Sequence, residues 1–388
     1  MTHYARRVAT FGTTIFAEIN QLAAQYGAIN LGQGKPDWEP PEEIIADFME
    51  TLHGGGFNQY APANGLPALQ QAIAAHQHRF YQHVVDPTRG VVVTAGATEA
   101  IFAAILGLTD PGDEVIVIEP FFDSYVPNIL MAHAIPVYVP LHPPTWTLDL
   151  DELAAAITPR TRAILHNSPH NPTGHIFTAQ EMQGIASLCQ EHDLIAISDE
   201  VYEHLYFDDA RHIPLTTVPG MAERTITIGS AGKIFSATGW KVGWACGAPE
   251  IMEGVARAHQ FITFAANHPT QHAIATALML PDSYFASYRQ MYAAKRDLFM
   301  QLLGEAGFTY HIPSGSYFIL AEYRAHFSGA PDDFSRWLVE RAGVAAVPIP
   351  TFFSAEHAHL ADGYIRFAFC KSDDLLRQAG ARLAQLRA

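Results

Sequence analysis

Lys233 is the residue whose setting in this sequence most strongly indicates covalent chemistry. It follows a short apolar run, residues 225–228 (TITI), and a segment of small residues that includes Ser230. A lysine that is partly removed from water has a lowered pKa and can act as a nucleophile that forms a Schiff base. Ser230 and the nearby Lys241 offer a hydroxyl group and a cation to a phosphate dianion. This stretch therefore predicts a covalently held, phosphorylated ligand, whereas a lone lysine would be a solvated charge.

A carboxylate and a phenol follow another apolar run, residues 194–197 (LIAI). A carboxylate such as Asp199 at the end of a central strand is costly to bury unless it has a partner. A protonated ring nitrogen would be such a partner, and Tyr202 could reach a phenolic oxygen on the same ring. Taken alone, Asp199 could also be a helix cap.

Amide and guanidinium groups occur where oxygen atoms of a ligand could be bound. The loop 166–174 (HNSPHNPTG) is stiffened by two prolines, and Asn167 and Asn171 can hydrogen-bond a ring oxygen and a carboxylate. Arg366 lies inside the apolar run 364–369 and needs an anionic partner there. Its planar fork suits a carboxylate. The alternatives are a plain turn for the loop and a structural salt bridge for Arg366.

Two more segments suggest how a flat, phosphorylated ring could be held. Gly96, Ala97 and Thr98 lie between residues 90–94 (GVVVT) and a predicted helix, where free N–H groups and the helix dipole can bind phosphate. Phe122 follows residues 114–118 (EVIVI) and could stack on a ring, although a core position is the alternative for Phe121 or Phe122. The chain has neither a Walker A loop nor a GxGxxG motif.

The elements that must position these residues alternate between strands and helices. The predicted strands are residues 90–94, 114–118, 136–139, 162–165, 194–197 and 225–228, and the predicted helices between them include 98–108 and 178–192. This alternation predicts the α/β class with a mostly parallel central sheet flanked by helices. Ligands of such sheets gather beyond the carboxyl ends of the strands, which is where the residues above lie.

The last third of the chain has a different pattern. A long amphipathic helix at 281–306 is followed by predicted strands at 315–320 and 364–369 and by a helix near 373–386. This pattern predicts a smaller α+β domain. We expect an N-terminal segment, 1–45, that packs with the small domain, a large ligand-binding domain, 46–280, and the small domain, 281–388.

Composition excludes several classes of function. The net charge of −16 repels nucleic acid. Cys189, Cys246 and Cys370 are far apart and predict reduced thiols of a cytoplasmic protein. The N-terminus shows no signal peptide, and no apolar run reaches the roughly 20 residues of a membrane span. The sequence has 20 histidines but no HExxH motif, so no metal site is expected.

Taken together, these motifs resemble the class I/II, fold-type I aminotransferases, which depend on pyridoxal 5′-phosphate (PLP). The resemblance covers nearly the whole chain and is closest to kynurenine, methionine and succinyldiaminopimelate aminotransferase-like enzymes. The matching stretches are INLGQGKPDWEPP, NQYAPANGLPAL, IEPFFDSY, NSPHNPTG, SDEVYEHL, GSAGKIFSATGWKVGW and YIRFAFCK. The resemblance implies transfer of an amino group from an L-amino acid to a 2-oxo acid, by a homodimer with shared active sites.

The resemblance also implies a role for each residue. Lys233 carries the cofactor as a Schiff base and moves the substrate proton, Asp199 pairs with the pyridine nitrogen, and Tyr202 and Asn171 bind the ring oxygen. The implied cofactor residues are Gly96, Ala97, Thr98, Phe122, Asn167, Asn171, Asp199, Tyr202, Ser230, Lys233 and Lys241, with Tyr60 from a second subunit. The implied substrate residues are Phe16, Gly34, Asn171 and Arg366.

The identity of the substrate stays open at this level. Lys35 stands where the family often has an apolar residue, and Thr98 and the pair Ala266-Asn267 replace bulkier residues of kynurenine aminotransferases. We expect a hydrophobic, sulfur-containing or aromatic amino acid, such as methionine or kynurenine. The alternatives are an N-succinyldiaminopimelate-type aminotransferase of lysine biosynthesis and a cysteine-S-conjugate β-lyase. A PLP-fold regulator and an NAD dehydrogenase are disfavoured.

Overall fold

The structure is a computed structural model that describes residues 4–9, 11–12 and 14–387. The strands, numbered along the chain, are β1 (Ile29–Asn30), β2 (Val91–Thr94), β3 (Glu114–Glu119), β4 (Ile135–His142), β5 (Thr147–Leu148), β6 (Thr161–Asn167), β7 (Ile195–Asp199), β8 (Thr225–Ser230), β9 (Gly243–Cys246), β10 (Thr309–Tyr310), β11 (Phe318–Glu322), β12 (Val344–Ala345), β13 (Val347–Pro348) and β14 (Tyr364–Ala368). The α-helices are α1 (Ile15–Tyr26), α2 (Glu42–Gly54), α3 (Pro67–Tyr81), α4 (Ala97–Leu108), α5 (Tyr125–Met131), α6 (Leu150–Ala155), α7 (Ala179–Glu191), α8 (Ala231–Ile234), α9 (Pro249–Ile262), α10 (His268–Leu278), α11 (Asp282–Glu305), α12 (Pro331–Ala342) and α13 (Asp373–Ala384).

An eight-stranded sheet forms the centre of the protein, with the strand order β2-β9-β8-β7-β6-β3-β4-β5. The pairs formed by β8, β7, β6, β3 and β4 are parallel, whereas β9 is antiparallel to both β8 and β2. The predicted α/β class with a mostly parallel sheet is therefore confirmed. All six predicted strands of this region are present, but β9 was not predicted, because it is a four-residue run inside the segment that follows Lys233.

Helices cover the sheet and begin where the sequence places capping groups. Helix α7 starts after Thr178, whose side chain accepts a hydrogen bond from the Glu181 amide while Glu181 bonds back to the Thr178 amide. This capping box satisfies two backbone donors of the first turn. Apolar side chains of α4, α9 and the inner strands form one buried cluster, which holds the start of α4 against the sheet.

A second, antiparallel sheet in the order β10-β11-β14-β13 lies in the C-terminal third, where an α+β unit was predicted. Strand β11 starts at Phe318, three residues later than predicted, because Gly315 and Ser316 donate hydrogen bonds to Gly174 and Leu205 instead. Strand β1 from the N-terminal segment pairs in parallel with β12. The division at 45/46 and 280/281 stays a prediction.

Within the part of the chain that the structure describes, no helix is both long enough and apolar enough to cross a lipid bilayer.

Candidate active site

A cavity of about 140 Å³ lies at the carboxyl ends of the central parallel strands. Its lining includes every residue predicted to bind the cofactor except Tyr60. The lining residues are Gly96, Ala97, Thr98, Ile101, Phe122, Asn167, Asn171, Asp199, Val201, Tyr202, Ser230, Gly232, Lys233, Thr238, Lys241 and Val242. The parallel strands bring these distant segments together because their ends meet at one edge of the sheet.

Asp199, the last residue of β7, is a buried carboxylate with only 4% of its surface exposed. The Tyr125 hydroxyl donates to it over 2.6 Å, and the Val201 amide donates over 3.3 Å. Burial raises the pKa of Asp199 to about 6, although these donors and the charge of Lys233 act in the opposite direction. A cation beside this carboxylate would be strongly favoured, as the protonated ring nitrogen of PLP would be.

Lys233 lies in the short helix α8, directly after β8. Burial lowers the pKa of its ammonium group, while the Cys370 thiol and Asp199 act to raise it. Its Nζ atom is 5.8 Å from the ring centroids of both Tyr202 and Tyr317. A lysine with a lowered pKa beside apolar ring faces is suited to nucleophilic and proton-transfer chemistry.

The start of α4 forms a cradle for an anion. Gly96 has a φ of 84°, and a Cβ atom there would lie 3.2 Å from the Lys241 Nζ atom. The positive φ favours glycine, and without a Cβ atom the Lys241 ammonium group can lie next to the first residues of α4. The first amides of a helix together with a lysine and the nearby Ser230 suit a phosphate group.

Arg366, in β14, is 1% exposed and lies beside this cavity. Its Nη1 group donates to the Asn171 side-chain oxygen over 2.7 Å, and its Nη2 group donates to the Gly32 carbonyl over 2.5 Å. Among the described residues, its Nε group has no hydrogen-bond partner. Burial lowers the pKa of Arg366 to about 10, which means that the guanidinium charge is poorly compensated by the protein. A substrate carboxylate would provide the missing charge.

Aromatic rings surround Arg366. The guanidinium carbon is 4.2 Å from the ring centroid of Phe318, 4.9 Å from that of Phe352 and 5.2 Å from that of Phe16. The sequence identified Phe16, but it did not identify Phe318 and Phe352, which come from the C-terminal third. These rings make the wall beside the arginine apolar on several sides.

Tyr317 and Gly34 are joined by a hydrogen bond that the sequence did not predict. The Tyr317 hydroxyl donates to the Gly34 carbonyl over 2.9 Å, and the Tyr317 ring centroid is 5.0 Å from that of Tyr202. A Cβ atom on Gly34 would overlap the rings of Tyr317 and Phe318. This close approach explains why the position requires glycine.

Asn167 lines the cavity, but both of its side-chain polar groups are used by the protein. Its amide group donates to the Asp199 carbonyl over 2.7 Å, and its oxygen accepts from the Asn171 amide over 2.7 Å. Asn167 therefore braces the loop that carries Asn171 against the end of β7. A direct hydrogen bond from Asn167 to the cofactor stays a prediction.

Tyr60 and Lys35 are two residues of interest that do not line the cavity of this chain. Tyr60 is 84% exposed and lies in a separate groove of about 510 Å³ that also contains Ala266 and Asn267. The Lys35 side chain is exposed, and its carbonyl accepts a hydrogen bond from the Lys371 Nζ group. Neither residue contacts the cavity of its own chain.

Tyr125 is the most informative residue that sequence reasoning missed. It lies three positions after Phe122 in the stretch IEPFFDSY, so it was quoted as part of a motif but was given no role. Its phenol is buried, and burial together with the neighbouring Asp199 carboxylate raises its pKa well above the ordinary value. It therefore stays a neutral donor that holds Asp199 in place.

The fold and the cavity define a PLP-dependent enzyme. A buried acid for the ring nitrogen, a lysine with a lowered pKa and an anion cradle at the start of α4 fit the three functional parts of PLP. Comparison with known families is in agreement. Residues 26–383 match the family of class I and II aminotransferases, and the chain belongs to that family.

Three similar proteins illustrate the range within the family. The chain is 46% identical to the probable N-succinyldiaminopimelate aminotransferase DapC of Mycobacterium tuberculosis, over 98% of each chain. It is 38% identical to the Homo sapiens kynurenine--oxoglutarate transaminase 1, over 98% of this chain and 97% of that protein. The solved structure of YbdL from Escherichia coli, described as having a methionine aminotransferase function, has a TM-score of 0.95 and 35% identity and covers 99% of this chain and 100% of that one. The protein is therefore a PLP-dependent aminotransferase that uses amino-acid and oxo-acid substrates.

Proposed function

We propose that this aminotransferase takes the amino group of a hydrophobic, sulfur-containing or aromatic L-amino acid and transfers it to a 2-oxo acid. The observation that carries this proposal is the aromatic wall of Phe16, Phe318 and Phe352 around the Arg366 guanidinium group. The arginine would bind the α-carboxylate shared by all amino acids. The rings would contact an apolar side chain and gain free energy by removing it from water.

The residues of the cavity would divide the reaction between them. Bound PLP supplies an electron sink for the substrate α-carbon. Asp199 would hold a proton on the ring nitrogen, and Tyr125 would fix the orientation of Asp199 through its 2.6 Å hydrogen bond. Arg366 and Asn171 would fix the carboxylate, and with it the direction of the α-C–H bond. Lys233 would then remove the α-proton as a positioned general base.

A second candidate is an N-succinyldiaminopimelate-type aminotransferase. It is favoured by the 46% identity to DapC over nearly the full length of both chains. Lys35 is a candidate contact for a second carboxylate, although its side chain is exposed outside the cavity. The similar proteins described above are transaminases, and no observation of the structure favours the cysteine-S-conjugate β-lyase, so we do not propose that activity.

A panel of donors decides between these substrates. We expect single-turnover rates with L-methionine and L-kynurenine to exceed the rate with N-succinyl-L,L-diaminopimelate. The conversion is followed by the change in cofactor absorbance, without an amino acceptor. Faster turnover of the succinylated substrate would reject the apolar donor and support the second candidate. Release of ammonia and pyruvate from a cysteine conjugate would instead indicate the lyase.

Lys35→Phe tests the second candidate more directly. If Lys35 binds a distal carboxylate, the substitution lowers kcat/KM for the succinylated donor and leaves that for L-methionine unchanged. Arg324→Phe, at another exposed basic position, is the matched control for a general change in surface charge. If the ratio of kcat/KM for the succinylated donor to kcat/KM for L-methionine is unchanged, Lys35 does not take part in substrate recognition.

We also propose a homodimer in which Tyr60 of each subunit reaches the phosphate region of the other. The support is the exposed position of Tyr60 in a groove of its own chain, next to the exposed ring of Phe264. The two ring centroids are 5.4 Å apart. Sedimentation of the holoenzyme as a monomer would reject the shared site.

We further infer a cytoplasmic location, which agrees with the three free and buried cysteines.

A further inference from the structure

Behind the cofactor cavity lies a buried group of metal-binding side chains that the proposed reaction does not use. Asp199 and Tyr202 face the cavity, whereas Glu203 and His204, from the same segment, lie beside His76 of α3. Their residues are only 2% (His76), 2% (Glu203) and 3% (His204) exposed. We refer to His76, Glu203 and His204 as the rear triad.

The distances within the rear triad match those between ligands of one metal ion. The His76 Nε2 atom is 3.0 Å from the His204 Nε2 atom and 3.5 Å from a Glu203 carboxylate oxygen. All three ligand atoms lie within 4.8 Å of one another. Ligands at about 2.0–2.2 Å from a tetrahedral zinc ion stand roughly 3.4 Å apart, and both distances from His76 Nε2 lie within about 0.4 Å of that spacing.

The polar atoms of the triad are incompletely used by the protein itself. Among the described residues, the Glu203 Oε2 and His76 Nδ1 atoms have no hydrogen-bond partner, although both are buried. Two imidazole Nε2 atoms that face each other at 3.0 Å can share only one proton between them if both rings are neutral. A divalent cation would satisfy both nitrogen atoms and the carboxylate at once.

We propose that His76, Glu203 and His204 bind a zinc-class divalent ion, with a fourth position left for water or a nearby side chain. Two imidazoles and one carboxylate are a ligand set that zinc accepts. The Tyr81 phenol, which interacts with Glu203, lies at the edge of the site. The ion is structural: it ties α3 to the segment that carries Asp199 and Tyr202.

The sequence did not indicate this site because its ligands do not form a compact motif. His76 and His204 are separated by 128 positions. Only Glu203 and His204 are neighbours, and a Glu-His pair alone occurs in many proteins without a metal. The packing of α3 against the segment after β7 brings the third ligand into place.

The test uses the full-length holoenzyme, treated with a chelator and then dialysed. Titration with zinc sulfate by calorimetry, and metal analysis of the washed protein, should show one zinc ion per chain. His76→Gln and Glu203→Gln should weaken zinc binding by at least about tenfold. His83→Gln, which changes a histidine bonded to Thr216 outside the triad, should bind zinc like the wild type.

Two outcomes would overturn the proposal. One is a wild-type protein that takes up no zinc, which would leave the triad as a hydrogen-bonded cluster. The other is zinc uptake that is unchanged in both triad variants, which would place the ion elsewhere, for example at the cofactor phosphate. If the variants do not fold, cobalt(II) added to the wild type decides: the intense visible bands of a tetrahedral site support the triad, and the weak spectrum of an octahedral ion rejects it.

Discussion

The two faces of the segment 198–205 differ in how their buried carboxylates are stabilised. On the cavity side, Asp199 receives a hydrogen bond from Tyr125 but forms no salt bridge with any described residue, and burial raises its pKa to about 6 against the opposing charge of Lys233. On the rear side, burial also acts to raise the pKa of Glu203, but His76, His204 and Tyr81 together outweigh it and hold the value at about 2. Nearby, Glu200 bonds to His212 over 2.9 Å.

This difference separates function from stability within a single segment. On the cavity side, the Asp199 carboxylate and the Arg366 guanidinium group are incompletely paired. This favours a ligand with a cation that can pair with Asp199 and a carboxylate that can pair with Arg366. The rear side places its acids beside histidines of other segments, Glu203 at 3.5 Å from His76 and Glu200 at 2.9 Å from His212, and these contacts can hold the segment in position. Substitutions on the cavity side should therefore change activity, and substitutions on the rear side should change stability.

The largest effect is expected for Lys233→Ala on the cavity side. Removing the nucleophile and general base should lower kcat by about a thousandfold or more and abolish the visible absorbance of the Schiff base. Stopped-flow assays with L-methionine and absorbance spectra check both. Lys35→Ala, at an exposed lysine, is the control and should keep the absorbance. A Lys233→Ala protein with normal turnover would contradict the assignment of the site.

The second largest effect on activity is expected for a substitution of Arg366. Arg366→Lys keeps the charge but loses the planar fork, and each lost charge-assisted hydrogen bond costs about 1.5–3 kcal/mol, roughly 10- to 100-fold in kcat/KM. Steady-state kinetics should show this loss with every amino donor, since all of them carry an α-carboxylate. Arg257→Lys, at an exposed position of α9, should have no effect. A loss limited to one donor would mean that Arg366 binds the side chain instead.

The affinity for PLP should depend on the protonation of Asp199. Its pKa is about 6 without the cofactor, so the apoenzyme takes up a proton as the pH falls below that value. Since the ionised form pairs with the protonated ring nitrogen, PLP affinity should fall by up to about tenfold per pH unit below pH ~6. The same raised pKa stabilises the apoenzyme at low pH, and this contribution is lost as the pH rises through about 6. Asp199→Asn should remove the part of each trend that depends on Asp199. Fluorescence titrations measure the fall in PLP affinity at low pH, and thermal melts measure the change in apoenzyme stability.

Tyr125→Phe tests the same pH dependence of PLP affinity, and the expected effect is smaller. Without the phenol, Asp199 loses a donor that lowers its pKa, so the fall in PLP affinity should begin at a higher pH than in the wild type. One lost hydrogen bond to a charged group corresponds to about 1.5–3 kcal/mol. Tyr310→Phe, in β10 and not among the residues that line the cavity, is the matched control. An unchanged pH profile would show that Tyr125 does not tune Asp199.

The smallest effect on activity is expected on the rear side. In chelator-treated protein, Glu203→Gln should lower the free energy of unfolding by about 1–3 kcal/mol because a buried charge-assisted contact is lost. The kcat and the cofactor absorbance should stay close to those of the wild type. Chemical denaturation and steady-state assays measure the two quantities separately. A large loss of kcat with unchanged stability would erase the distinction between the two faces.

Much of the cavity was predictable because local sequence and sheet topology act together. Lys233, Asp199, Asn171 and Phe122 each follow a recognisable apolar run, and parallel strands bring such positions to one edge. Tyr202 and Arg366 were also identified from their positions in or after such runs. These predictions needed only the order of strands and the residue types in or after them. The resemblance to class I/II aminotransferases then assigned a role to each residue and added Phe16 and Gly34.

The remaining features depend on contacts that no local pattern encodes. Arg366 bonds to Gly32 across 334 positions, and Tyr125 bonds to Asp199 across 74. Strand β9 is antiparallel to its neighbours in the sheet, although nothing in its four-residue sequence indicates this direction. By itself, the sequence determined the class of the enzyme and the chemistry of its cavity, because that chemistry requires particular residue types at strand ends. The aromatic wall, the support of Asp199 and the rear triad were decided only by the tertiary structure, since each joins side chains whose proximity exists only after packing.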